Sequence, residues 1–231
     1  MKQIIAIGGG GFGRNPQQHL IEQYILDQAK SDRPNILFIP TATGELDSYI
    51  VNFYKVFSKL QCNPNHLSFF KRTPDLNKLI AEQDVIFVGG GNTKSMLAVW
   101  REWQLDEYLS EAYNKGVVMS GVSAGAICWF QQGITDSWES ELKVMPCLEF
   151  VDGVCCPHYD EEPERRPTTK KLLINNIYQE VIGIEGGCAL HIKDGNIFKA
   201  VRFSKNKNSY RVTAKDNKII ESPINSISLV Q

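Results

Sequence analysis

Residues 118–127 read Val-Met-Ser-Gly-Val-Ser-Ala-Gly-Ala-Ile, and the fold is decided here. Val117–Ser120 is an apolar run that predicts a strand, and Ala124–Phe130 predicts a helix. The chain therefore reverses within Gly121-Val122-Ser123-Ala124-Gly125. A G-x-S-x-G pattern between a buried strand and a helix puts the serine on a sharp turn with its hydroxyl exposed. The amides that follow point to where an oxyanion would form. Ser123 is thus the candidate nucleophile. The five-residue pattern alone is weak, because small residues are common in turns, so its surroundings carry the weight.

Working outward, strand and helix alternate throughout the first half. Strands are expected at Gln3–Ile7, Ile36–Ile39, His66–Phe70 and Val85–Val88. Helical spacing of apolar residues marks Gln17–Ala29, Ser48–Leu60, Leu76–Ala81, Thr93–Trp100 and Leu105–Asn114. Short, continuously apolar strands separated by helices imply a doubly wound, mostly parallel α/β sheet. Gly8–Gly13, Thr41–Gly44, Gly89–Asn92 and Gly121–Ala124 all follow strands, so they would line one rim, where such sheets place their chemistry. In the second half, Gly153–Cys156, Val181–Ile184, Ala189–Ile192, Ile197–Val201 and Tyr210–Val212 read as strands joined by polar turns. They suggest antiparallel additions. A charged loop from Asp160 enters a helix that continues over Leu172–Tyr178. No linker is evident, so residues 1–231 are read as one domain.

Composition narrows the function classes. The net charge of −1 argues against nucleic acid or a membrane surface as partner. Ile4–Ile7 is too short for the apolar core of a secretion signal, and the expected location is the cytoplasm. None of the six cysteines forms a C-x-x-C pair, so reduced thiols are expected and no metal is called for. A homodimer is compatible with the sequence.

A serine nucleophile needs a base and a group that orients the base. Of the four histidines, His19 and His66 read as surface or packing residues, and His191 as a satisfied strand histidine. His158 follows the apolar run Val154-Cys155-Cys156-Pro157 and would arrive at the rim of Ser123. The acid stays open between Glu185, at a strand end before Gly186-Gly187, Asp136 and Asp160. The oxyanion donors would be the Ala124 amide and an amide from Gly89-Gly90-Gly91-Asn92. Asn92 itself either caps the next helix or reaches substrate.

Gly8, Gly10 and Gly13 satisfy G-x-G-x-x-G after a strand, the dinucleotide fingerprint. That fingerprint also needs an acid at the end of the second strand. Here the strand ends Phe38-Ile39-Pro40-Thr41, so no nucleotide cofactor is expected.

Four separated motifs resemble the peptidase E family, serine peptidase family S51: Ile-Gly-Gly-Gly at 7–10, Val-Gly-Gly-Gly-Asn-Thr at 88–93, Gly-Val-Ser-Ala-Gly-Ala at 121–126 and Pro-His-Tyr at 157–159. The resemblance spans residues 1 to about 200. It implies a fold like class I glutamine amidotransferases and a metal-free, dipeptidase-like hydrolysis of short peptides through an acyl-enzyme. It assigns Ser123 as nucleophile, His158 as base, Glu185 or Asp136 as acid, with Glu185 preferred, and Gly90, Gly91 and Ala124 as the oxyanion hole. The segments around Trp129, Gly133–Trp138 and Glu164-Arg165-Arg166-Pro167 depart from the aspartyl dipeptidases of that family. If the substrate is acidic, Arg165 or Arg166 is the expected cation. A catalytically silent binding protein for a small acidic ligand, and a hydrolase of a non-peptide acyl substrate, are the rival readings.

Overall fold

The computed structural model describes all residues except 16, 18, 139, 140 and 231. In chain order its strands are β1 (Gln3–Ile7), β2 (Asn35–Ile39), β3 (Asn63–His66), β4 (Val85–Val88), β5 (Val118–Val122), β6 (Phe130–Thr135), β7 (Lys143–Pro146), β8 (Val151–Cys156), β9 (Glu180–Ile184), β10 (Cys188–Lys193), β11 (Asn196–Arg202), β12 (Ser209–Lys215), β13 (Lys218–Pro223) and β14 (Ser226–Ser228). The helices are α1 (Leu20–Leu26), α2 (Asp47–Phe57), α3 (Leu76–Ala81), α4 (Thr93–Glu102), α5 (Leu105–Lys115), α6 (Ala124–Ile127) and α7 (Arg165–Ile174). Gln18, within the helix expected from Gln17, lies outside the described residues.

An eight-stranded sheet runs β14-β11-β10-β1-β5-β4-β2-β3. Its five strands from β1 to β3 are parallel. Side chains alternate across it. Ile5, Ile7, Ile36, Phe38 and Phe87 pack with Ile21 and Ile25 of α1 and Phe53, Val56 and Phe57 of α2. Ile4, Leu37, Ile39, Ile86 and Met119 pack on the opposite side with Met96, Leu97 and Trp100 of α4 and Leu109 of α5. Helices cover both faces, as a doubly wound α/β sheet requires.

The antiparallel additions exist, but they divide between two sheets. β10 pairs antiparallel with β1 and extends the first sheet through β11. The remaining strands form a second, six-stranded sheet, β13-β12-β9-β8-β6-β7, whose inner members β6, β8 and β9 are parallel. Cys155 and Ile182 of this sheet join the α4–α5 core, whereas neighbouring Cys156 and Val181 face Leu173 of α7. Both faces of its centre are thus buried.

Two expected elements differ. The edge strand lies at Asn63–His66, not His66–Phe70, and pairs in parallel with β2 from Asn35↔Asn63 to Phe38↔His66. Leu67 and Phe69 are buried, but the Glu45 carboxylate takes the Ser68 hydroxyl and the Phe69 amide and bends the chain away. The ladder with β2 ends at the Leu67 amide, which donates to the Phe38 carbonyl at 2.9 Å, so the apolarity of Phe69 marks burial without strand pairing. The helix after Ser123 stops at Ile127. The carbonyls of Cys128, Trp129 and Phe130 accept from the amides of Leu148, Phe150 and Glu149, which draws the chain into β6.

Candidate active site

Ser123 follows β5 directly and opens α6, with φ 58° and ψ −112°. The two glycines beside it are steric necessities. A Cβ on Gly121 would lie 2.3 Å from the Gly125 carbonyl oxygen, and one on Gly125 would lie 2.2 Å from that of Val88. The turn is anchored by the Ser123 amide, which donates to the Ile7 carbonyl at 3.0 Å. A conformation this rarely adopted costs about 1–3 kcal/mol, and it persists because strands on both sides determine it. Among the described residues, Ser123 Oγ has no hydrogen-bonded protein partner, His158 included.

The carboxyl ends of β1, β2, β4 and β5 meet at a cavity of about 310 Å³ lined by Gly10, Arg14, Tyr49, Gly90, Gly91, Ser123 and His158, among others. Gly90 packs against the nucleophile: a Cβ there would sit 3.2 Å from Ser123 Cβ. Gly90 and Gly91 line the same cavity as Ser123, and Ala124 follows it directly in the chain. Burial pushes the Tyr49 phenol up to about 12, so it stays protonated.

His158 arrives from the second sheet. β8 ends at Cys156, and the His158 amide donates to the Gly8 carbonyl at 3.0 Å, which ties the two sheets together at the rim. The residue is 5% exposed, with φ 50°. Its Nδ1 lies 2.6 Å from Glu161 Oε2. The other oxygen of Glu161 accepts from Arg14 Nη1, also at 2.6 Å. A carboxylate on Nδ1 fixes the imidazole and leaves Nε2 to face a reacting group.

The acid that holds His158 is thus Glu161, one turn of chain away, in place of Glu185 or Asp136. Glu185 is nearly buried, but it is engaged by Arg166 at 3.0 Å and by the Asn208 amide at 2.9 Å. The Asp136 side chain is exposed, and its ionic neighbour is Arg165 at 3.8 Å. Asp160, the third option, takes the Gly186 amide at 2.8 Å and the Lys207 ammonium. Space for Glu161 beside His158 is left by Gly9. A Cβ on Gly9 would lie 2.4 Å from Glu161 Oε2 and 2.7 Å from His158 Nδ1. The opening glycines leave room for this pair.

The arginine expectation is corrected by the same geometry. Arg165 is 1% exposed and spends its donors on the Ile134 carbonyl and Glu162. Arg166 bridges Glu221 and Glu185 and lies over the Tyr159 ring at 4.5 Å. Neither borders the cavity; Arg14 does. Asn92 caps α4, accepting the Ser95 amide at 2.9 Å. His191 is satisfied as expected, by Tyr24 and Gln3, and burial pushes it down to about 4. Among the described residues, no three His, Cys, Asp or Glu side chains converge as a metal site, and no helix is long and apolar enough to cross a membrane.

Comparison with known proteins agrees with this architecture. The model of peptidase family S51 matches residues 4–200. The chain belongs to peptidase family S51. An uncharacterised peptidase of Bacillus subtilis (strain 168), YgaJ, is 45% identical over 225 residues, covering 97% of each chain. Peptidase E of Haemophilus influenzae is 28% identical over 174 residues, covering 69% of this chain and 77% of that one. In fold, the chain is similar to the crystal structure of a peptidase from an acI-B1 actinobacterium, with a TM-score of 0.74 at 18% identity over 96% of this chain and 95% of that one. An S51 assignment supports a hydrolase of peptide bonds.

Proposed function

We propose that this S51 member is a serine-type peptidase for short peptides, with Ser123 as nucleophile, His158 as general base and Glu161 as the acid that orients it. The supporting observation is the shared cavity, bordered by a serine forced onto a positive-φ turn and by a histidine whose Nδ1 is held by a carboxylate. With its Nδ1–H donated to Glu161, His158 accepts the Ser123 proton at Nε2 as Oγ attacks the scissile carbonyl. The Gly90 and Ala124 amides receive the negative charge of the tetrahedral intermediate. His158 then protonates the leaving amine, and the acyl-enzyme is hydrolysed by a water that His158 deprotonates. A cavity of about 310 Å³ lies at the lower limit of the roughly 300–1,000 Å³ typical of small-molecule sites, which favours dipeptides over long chains.

The test is hydrolysis of a dipeptide panel rich in Asp-X, with Ser123→Ala as the blank. Cleavage by the wild type and none by Ser123→Ala is the expected outcome. Equal cleavage by both proteins would sink the nucleophile assignment. Ligand-induced melting shifts without turnover of any peptide would favour the binding-protein reading.

A further inference from the structure

A second cavity, of about 180 Å³, shares Gly10 and Arg14 with the first and also borders Glu161. Glu22 of α1 is among the residues that line it and is 1% exposed. Glu22 Oε1 accepts the Phe12 amide at 2.6 Å. Glu22 Oε2 is buried and, among the described residues, has no hydrogen-bond partner. A buried carboxyl oxygen without a donor is costly, and a ligand that supplies one recovers that cost. Two cations also line it. Arg14, whose side chain is 55% exposed, holds Glu161, and Lys207, 35% exposed, holds Asp160. Each keeps further N–H donors after that contact. The cavity lining therefore combines an unpartnered carboxyl oxygen with cationic N–H donors that are only partly used by Glu161 and Asp160. Its volume is below the roughly 300–1,000 Å³ of drug-sized sites, which limits an occupant to about one residue.

We propose that this cavity binds a free L-α-amino acid, with the ammonium donating to Glu22 Oε2 and the carboxylate meeting Arg14 and Lys207. Such a molecule is what a peptidase releases. Because Arg14 also holds Glu161, a carboxylate bound there competes for Arg14 and loosens the pair that orients His158. Occupancy then lowers turnover without blocking Ser123. This consequence rests on the peptidase reading, whereas the binding does not.

The experiment is calorimetric titration of Ser123→Ala protein with free L-amino acids, one at a time, and with their N-acetyl and amide derivatives. One amino acid or a related set binds with one-to-one stoichiometry. N-acetylation and Glu22→Gln each weaken it by about ten-fold or more, and amidation and Lys207→Met weaken it several-fold. The Glu22→Gln side chain keeps an acceptor for the Phe12 amide. Should that variant still fail to fold, Lys207→Met and the derivatives decide alone. No binding at millimolar concentration overturns the proposal. So does binding that neither substitution changes, because that ligand sits in the Ser123 cavity. Amino-acid binding by a wild type that hydrolyses no peptide would sink the peptidase reading and leave this one standing.

Discussion

The Ser123 turn and the His158 turn both hold a non-glycine residue at positive φ, 58° and 50°, yet they are built from different resources. The first is local. Gly121 and Gly125 leave space for the Val88 carbonyl, Gly121 also for the Gly125 carbonyl, and β5 runs straight into α6. The second is assembled from afar. Gly8 accepts the His158 amide, Gly9 vacates the space for its ring, Glu161 takes Nδ1, and Arg14 holds Glu161 from the first sheet's loop. Steric necessity within a few residues leaves a pattern that can be read. The choice of one carboxylate among several depends on which of the others already have partners.

The sharpest way to break this comparison is at the acid. Glu161→Gln should lower kcat on the order of 10²–10⁴-fold, because an amide no longer fixes the proton-accepting tautomer of His158. Glu185→Gln should leave kcat nearly unchanged and instead cost stability, since Arg166 and the Asn208 amide lose a buried anion. Steady-state kinetics on a cleaved dipeptide, with melting curves of both variants, separates the two. A larger kcat loss in a folded Glu185→Gln protein would return the acid to Glu185.

The local turn is tested by adding a single methyl group. Gly125→Ala places a Cβ 2.2 Å from the Val88 carbonyl oxygen, and overpacking of this kind costs about 1–3 kcal/mol or more. An unchanged denaturation midpoint would show that the pattern is not sterically required.

Beneath the opening loop, Glu22 sharpens the comparison through pH. Burial pushes this carboxyl up to about 7 from an ordinary 4.5. The folded value is above the unfolded one, so its contribution is fully present below pH 4.5 and is lost as pH rises through about 7. Glu22→Gln should therefore be the more stable protein above pH 7, by up to a few kcal/mol, since each pH unit between the two values is worth about 1.4 kcal/mol. Its advantage should vanish near pH 5. Parallel stability curves for the two proteins from pH 5 to 9 would contradict a Glu22 whose ionisation is opposed by burial.

The smallest effect is expected at Arg14. Its pair with Glu161 is half exposed, and such pairs contribute about 0–1 kcal/mol. Arg14→Gln should reduce kcat/KM only a few-fold, and added salt should narrow the gap. A loss as large as that of Glu161→Gln would make Arg14 part of the catalytic apparatus itself.

Much of this protein was legible in its sequence. The apolar runs located β1, β4 and β5, the helical spacing located α3 and α5, and G-x-S-x-G located Ser123, because burial and close packing restrict residue types position by position. His158 was legible too, since a polar residue directly after a buried strand must emerge at a sheet rim. Tertiary structure alone decided the rest. It moved the edge strand to Asn63–His66, cut α6 short at Ile127, and separated a second sheet from the first. It also withdrew Arg165, Arg166 and Glu185 into their own ion pairs and gave His158 to Glu161. Backbone hydrogen bonds between distant segments made the first set of choices, and competition among charges for partners made the second. Neither is recorded in the spacing of residues along the chain.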